Sequence, residues 1–239
     1  MSNLSAIIVG ANSALSQQLA QQLHQQGITL GLMAADPNAL QPLQQQLGCK
    51  LVGLDIRDPQ QCQQSFSELW QQLDGAALVI INTAATGLDL ELPWSLEQSI
   101  IDVNVQGFAA IANVAFKQMV QQQYGQIGCF TSIAGERGGP QVAFHASKAF
   151  QQNYLQGLRL HAQRLKLPIT ITDLRLGYLD KMQGRGNRLW AASLEKIAGQ
   201  ALHGLQRGKS QLYLTKRWRL AAAISNALPE FIYNRRRYK

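Results

Sequence analysis

Short apolar runs alternate along this chain with longer segments in which apolar residues recur every three or four positions. Ala6-Ile7-Ile8-Val9 is the first such run, closed by Gly10. Leu15, Leu19 and Leu23 then predict an amphipathic helix from about Ser13 to Gln26, ended by Gly27. Strands are predicted at Ile28 to Ala34, Lys50 to Leu54, Ala77 to Ile81, Gln126 to Thr131, Ile169 to Leu174 and Gln211 to Leu214. Helices are predicted between them over residues 40–47, 60–73, 95–122, 141–166 and 194–207, with Asp58-Pro59 as the start signal of the second.

This order implies right-handed βαβ crossovers and a parallel sheet covered by helices on both faces. The expected fold is a single doubly wound α/β domain over residues 1–215, followed by an extension over 216–239. In such sheets ligands bind beyond the carboxyl ends of the strands, where the strand order reverses. The distinctive residues of this chain fall just after strands, on that edge.

Composition adds two points. The 32 glutamines, often doubled as in Gln17-Gln18 and Gln21-Gln22, sit at polar helical positions and read as surface helix formers in place of Lys and Glu. The net charge of +8 is confined to the end of the chain. Residues 206–239 carry nine Lys/Arg against the single acid Glu230, while residues 1–205 hold 13 of each sign. No nucleic-acid-binding motif accompanies the basic residues, so a nucleic-acid partner is not expected. Cys49, Cys62 and Cys129 show no paired metal spacing, and no metal site is expected. No apolar run of about 18 residues predicts a membrane span, and the first residues lack a basic secretory n-region. A cytoplasmic location is expected.

Candidate chemistry gathers in four places. Gly10-Ala11-Asn12-Ser13-Ala14-Leu15-Ser16 is a strand-to-helix turn of small residues, able to hold a pyrophosphate on backbone N–H groups. Asp36 ends the second strand, where it could select a free ribose hydroxyl or cap the helix that starts at Pro37. Asn104 lies within the long helical region. Thr131-Ser132-Ile133-Ala134-Gly135 follows the fifth strand, twelve residues before Phe144-His145-Ala146-Ser147-Lys148.

Phe144-x-Ala-Ser-Lys148 resembles the Tyr-x-Ala-Ser-Lys signature of the short-chain dehydrogenase/reductase family, over about residues 5–182. The resemblance implies a Rossmann-like fold, NAD or NADP as cofactor with the preference open, and hydride transfer to or from a carbonyl or secondary alcohol. By resemblance, the cofactor would lie against Gly10, Asn12, Ser13, Ala14, Leu15, Asp36, Asp55, Ile56, Asn82, Ala84, Lys148 and Gly177. Ser132 would orient the carbonyl, Lys148 would hold the nicotinamide ribose, and Asn104 would feed a proton relay.

Phe144 stands where the family has its proton-donating tyrosine, and a phenyl ring has no proton to give. His145 and Tyr178 are weaker candidates to replace it. Ala14, Ser16, Ala85, Leu176 and Lys181 also depart from the family pattern. The expected protein is an oxidoreductase of doubtful activity or, alternatively, a non-catalytic dinucleotide-binding or interaction protein.

The C-terminal part resembles a branch that includes reductases of polyprenyl-linked sugars. Leu220, Ile224, Ala227, Leu228 and Phe231 recur at helical spacing among Lys216-Arg217 and Arg235-Arg236-Arg237. A basic amphipathic helix of this kind can lie on an anionic membrane surface. The other reading is a helix that packs on the domain or on a second copy. A homo-oligomer is expected.

Overall fold

A computed structural model describes residues 4–177 and 192–233. The strands β1 (Ser5–Val9), β2 (Thr29–Ala34), β3 (Lys50–Gly53), β4 (Leu78–Ile81), β5 (Gly125–Ser132), β6 (Ile169–Leu176) and β7 (Gln211–Leu214) form one sheet in the order β3-β2-β1-β4-β5-β6-β7. Every neighbouring pair is parallel. The order reverses between β1 and β4, so the binding crevice of this doubly wound sheet opens above their carboxyl ends. Predicted strands and most helices agree with the observed bounds to within two residues.

Helices α1 (Ala14–Gln25), α2 (Gln41–Leu47) and α7 (Leu194–Gln206) cover one face of the sheet. Leu15, Leu19 and Leu23 of α1 are buried there against Ala6 and Ile8. Helices α3 (Pro59–Gln72), α5 (Phe108–Gln122) and α6 (Val142–Leu165) cover the other face, where Phe66, Ile111 and Leu155 join Ile7 and Val9 in a second core. Because each β1 side chain faces one core or the other, the strand reads as a continuous apolar run rather than an alternation.

Local signals start and stop these helices. The Asp58 carboxylate accepts from the backbone N–H of Gln60 and Gln61 and Pro59 occupies the first turn of α3, while Gly48 ends α2 in the left-handed conformation.

Three expectations need correction. The long helical region is three pieces: α4 (Trp94–Ile101), a π-helical segment over Asp102–Gly107, and α5. Taken together, Trp94–Gln122 is also long and apolar enough to cross a membrane, contrary to the reading that no such run exists. Over half of its most apolar window is buried inside the protein, which is the behaviour of a core helix. Finally, glutamine is not only a surface residue here: Gln151 is fully buried.

Candidate active site

The turn after β1 can be made only by glycine at position 10. Its φ is +85°, and a Cβ there would collide with the carbonyl oxygen of Asn82. Ser13 caps α1 by accepting from the Ser16 N–H at 3.4 Å. The first turn, Ala14 and Leu15, leaves its backbone donors at the carboxyl edge of the sheet, the arrangement that receives a pyrophosphate. Ser16, in place of a family glycine, is fully buried. The hydroxyls of Ser16 and Ser13 accept from Asn82 Nδ2 at 2.9 and 3.0 Å, so hydrogen bonds now tie α1 to the end of β4.

Asn12 joins the first turn to the second, donating to Asp36 O at 2.7 Å and accepting from Asp36 N at 3.0 Å. One Asp36 carboxylate oxygen accepts from Ala39 N at 3.2 Å, in the short 3-10 turn over Asn38–Leu40. Asp55 is held by Arg57, whose Nε and second guanidinium nitrogen donate to the two carboxylate oxygens at 2.9 and 2.8 Å. These hydrogen bonds hold the Asp55 carboxyl down at about 2. The Ile56 carbonyl lies where Gly107 lacks a side chain, and Ala84 is exposed beside Thr83. Among the described residues the Thr83 hydroxyl, buried at this edge, has no hydrogen-bond partner. A glycine-only turn, an open helix N-terminus and that unpartnered hydroxyl fit a dinucleotide.

The nicotinamide side is built on α6 and the π segment. Asn104 is fully buried and its amide is paired with Ala85 in both directions, accepting from Ala85 N at 2.7 Å and donating to Ala85 O at 2.8 Å. Its Nδ2 also donates to Ser147 Oγ at 3.0 Å, and that hydroxyl donates to Phe144 O at 2.8 Å. Lys148 is buried and its Nζ lies 5.7 Å from the centre of the Phe144 ring. Burial lowers the lysine from 10.5 to about 8, leaving it largely protonated at neutral pH. Its Nζ donates to Gln151 Oε1 at 3.0 Å, and Gln151 Nε2 donates to Asn104 O at 2.9 Å.

Ser132 ends β5 beside this group. Its hydroxyl accepts from Ala134 N at 3.1 Å and donates to Leu176 O at 3.4 Å, and its carbonyl accepts from Gln152 of α6. His145 turns elsewhere: Nδ1 donates to Gln141 O at 2.9 Å, and the Nε2 end abuts Gly139. Tyr178 and Lys181 lie outside the described residues.

The C-terminal helices α8 (Lys216–Ala227) and α9 (Glu230–Tyr233) close the rim. The Trp218 indole occupies the space beside Gly177 that a Cβ would need. Arg175 donates to Asp173 at 2.7 Å and to Tyr213 OH at 3.0 Å, and pairs with Glu136. Arg137 donates to Ser225 O and Leu228 O, and Tyr233 OH donates to Gly138 O at 2.7 Å. The turn after Ser132 is thus fastened to the end of the chain.

Asn104, Phe144 and Lys148 are thus linked through Ser147 and Gln151, and Ser132 is joined to the same helix through Gln152. Sequence reasoning missed Gln151, Ser147, Arg57 and the Arg175 network. Ser147 could have been found from its place in the Ala-Ser-Lys stretch. Gln151 gave no signal, because it resembles every other glutamine doublet.

A doubly wound sheet with a glycine turn at its switch point and a buried Lys–Ser–Asn cluster on the same edge defines a Rossmann-like architecture with a candidate dinucleotide site. The short chain dehydrogenase family model matches residues 5–188, and the chain belongs to that family. An uncharacterised oxidoreductase of Staphylococcus aureus (strain N315) is 26% identical over 182 residues, covering 73% of this chain and 78% of that protein. Another from Mycobacterium tuberculosis (strain CDC 1551 / Oshkosh) is 29% identical over 188 residues, covering 73% and 72%. A short-chain dehydrogenase from Streptomyces avermitilis superposes with a TM-score of 0.80 at 16% identity, covering 92% of each chain.

Proposed function

We propose that this protein binds NAD or NADP and that its oxidoreductase site has lost the internal proton donor for reduction of a carbonyl or oxidation of a secondary alcohol. One observation carries the reading: the phenyl ring of Phe144 packs beside Lys148, where the family places a phenol. A bound nicotinamide would supply or accept a hydride. Gly10 and the start of α1 would hold its pyrophosphate, Lys148 its ribose, and Ser132 the carbonyl oxygen. Without a general acid, turnover is expected about 10²–10⁴-fold below that of a tyrosine-bearing relative.

Fluorescence titration with NADH and NADPH tests the binding half and reads the preference between them; no saturable signal with either refutes it. The catalytic half fails if the wild type turns over carbonyl substrates briskly and His145→Ala or Tyr178→Phe abolishes that turnover.

The substrate side is proposed to face an anionic membrane. The apolar stripe of the tail supports this, since Leu220, Ile224 and Phe231 are exposed next to exposed Lys216 and Arg219. The likeness to reductases of polyprenyl-linked sugars supports a lipid-borne substrate in the same way.

A further inference from the structure

Gln151 lies one helical turn beyond Lys148 and spans the gap between two chemically important groups. Its Oε1 accepts from Lys148 Nζ at 3.0 Å, and its Nε2 donates to the carbonyl of Asn104 at 2.9 Å. That carbonyl lies in the π segment, where widened winding commonly frees backbone groups from the regular helical ladder. A water or hydroxyl in the place of this amide could donate and accept through one oxygen, and so pass a proton along. A primary amide donates through nitrogen and accepts through oxygen, so it can pass no proton without becoming an imidic acid. Among the described residues there is no detour on the Asn104 side: the Asn104 amide is engaged with Ala85 and Ser147, and the Ser147 hydrogen with Phe144 O.

We infer that Gln151 is a positioning residue that locks Lys148: it keeps the ammonium in place for a dinucleotide ribose while cutting its proton exchange with solvent. Phe144 and Gln151 are then a coupled pair, one removing the proton donor and the other its resupply. The inference rests on the dinucleotide-binding reading above. A residue that merely filled the core would leave proton exchange at Lys148 unaffected.

The test begins with the full-length protein labelled with ¹⁵N-lysine, the Lys148 signal being assigned by its loss in Lys148→Met. In the wild type the Lys148 Nζ protons should exchange with water at least about 100-fold more slowly than those of exposed lysines, and Gln151→Ser should accelerate them at least about 10-fold. Wild-type exchange as fast as at the surface overturns the inference without any variant, as does unchanged exchange in Gln151→Ser.

The second arm measures turnover of a carbonyl panel by Phe144→Tyr and by Phe144→Tyr/Gln151→Ser. In the double variant the carbonyl carbon takes the hydride supplied by reduced nicotinamide, and the carbonyl oxygen takes the phenolic proton. The phenolate regains a proton from solvent past Lys148, leaving an alcohol and the oxidised dinucleotide. The double variant should exceed the single by about 10²-fold or more; a double variant no faster than the single overturns the lock. Failure of dinucleotide binding would show instead as absent NADH and NADPH titrations, with the exchange arm still readable.

Discussion

Lys148 carries a positive charge into a place with little water, and that cost has a pH signature. Its folded-state value of about 8 lies below the 10.5 of an exposed lysine. The penalty on folding is therefore complete below pH 8 and is relieved as pH rises from 8 to 10.5, because only the unfolded chain then keeps the proton. Relative to Lys148→Met, the wild type should gain about 3 kcal/mol between pH 7 and 10.5. Denaturant melts of both proteins across that range measure it; a constant difference would refute the assignment. At this scale the sequence spoke clearly for Lys148, Ser132 and Asn104, whose spacing is distinctive. It was silent on Gln151, because what makes that side chain special is the Asn104 carbonyl 47 residues away. It named Asp55 as a cofactor contact but gave no sign that its neighbour Arg57 takes both carboxylate oxygens.

The π segment over Asp102–Gly107 shows how an element can be legible while its winding is not. Apolar periodicity announces a helix over residues 95–122, but a single period cannot announce a register shift. The cause is tertiary: Asn104 binds the backbone of Ala85, and Gly107 admits the Ile56 carbonyl. Asn104→Ala would leave the Ala85 N–H and C=O without their partner in a part-buried setting, and is expected to cost about 1–3 kcal/mol. Urea unfolding reads the loss. A cost below about 0.5 kcal/mol would mean that water replaces the amide freely. Helix α8 is the converse case. Its amphipathic pattern was legible, but Trp218 and Ala222 are the buried pair, and the predicted apolar stripe faces outward.

Across the whole molecule, charge and exposed apolar surface are distributed unevenly. A neutral body of 205 residues ends in a basic segment, and that segment is hydrogen-bonded to the turn after Ser132. If this end meets lipid, the protein should co-sediment with phosphatidylcholine vesicles containing phosphatidylglycerol and be released by salt. Paired Leu220→Glu and Ile224→Glu substitutions should weaken retention about 10-fold or more. Equal binding to neutral vesicles, or none at low salt, would refute a lipid-facing role. Sequence order predicted the sheet and its switch point well, because each βα unit declares itself locally. The rim resisted prediction because its fastening joins residues nearly a hundred positions apart, as between Gly138 and Tyr233.

That last hydrogen bond bears on how the protein is best handled at the bench. An attachment placed close to Tyr233 would crowd the rim of the crevice that this side chain helps to fasten. In a parallel sheet, β1 starts at the opposite edge. A surface linkage beside exposed Leu4, just before β1, leaves the crevice clear, and it is the side by which to immobilise the protein for nucleotide or vesicle measurements.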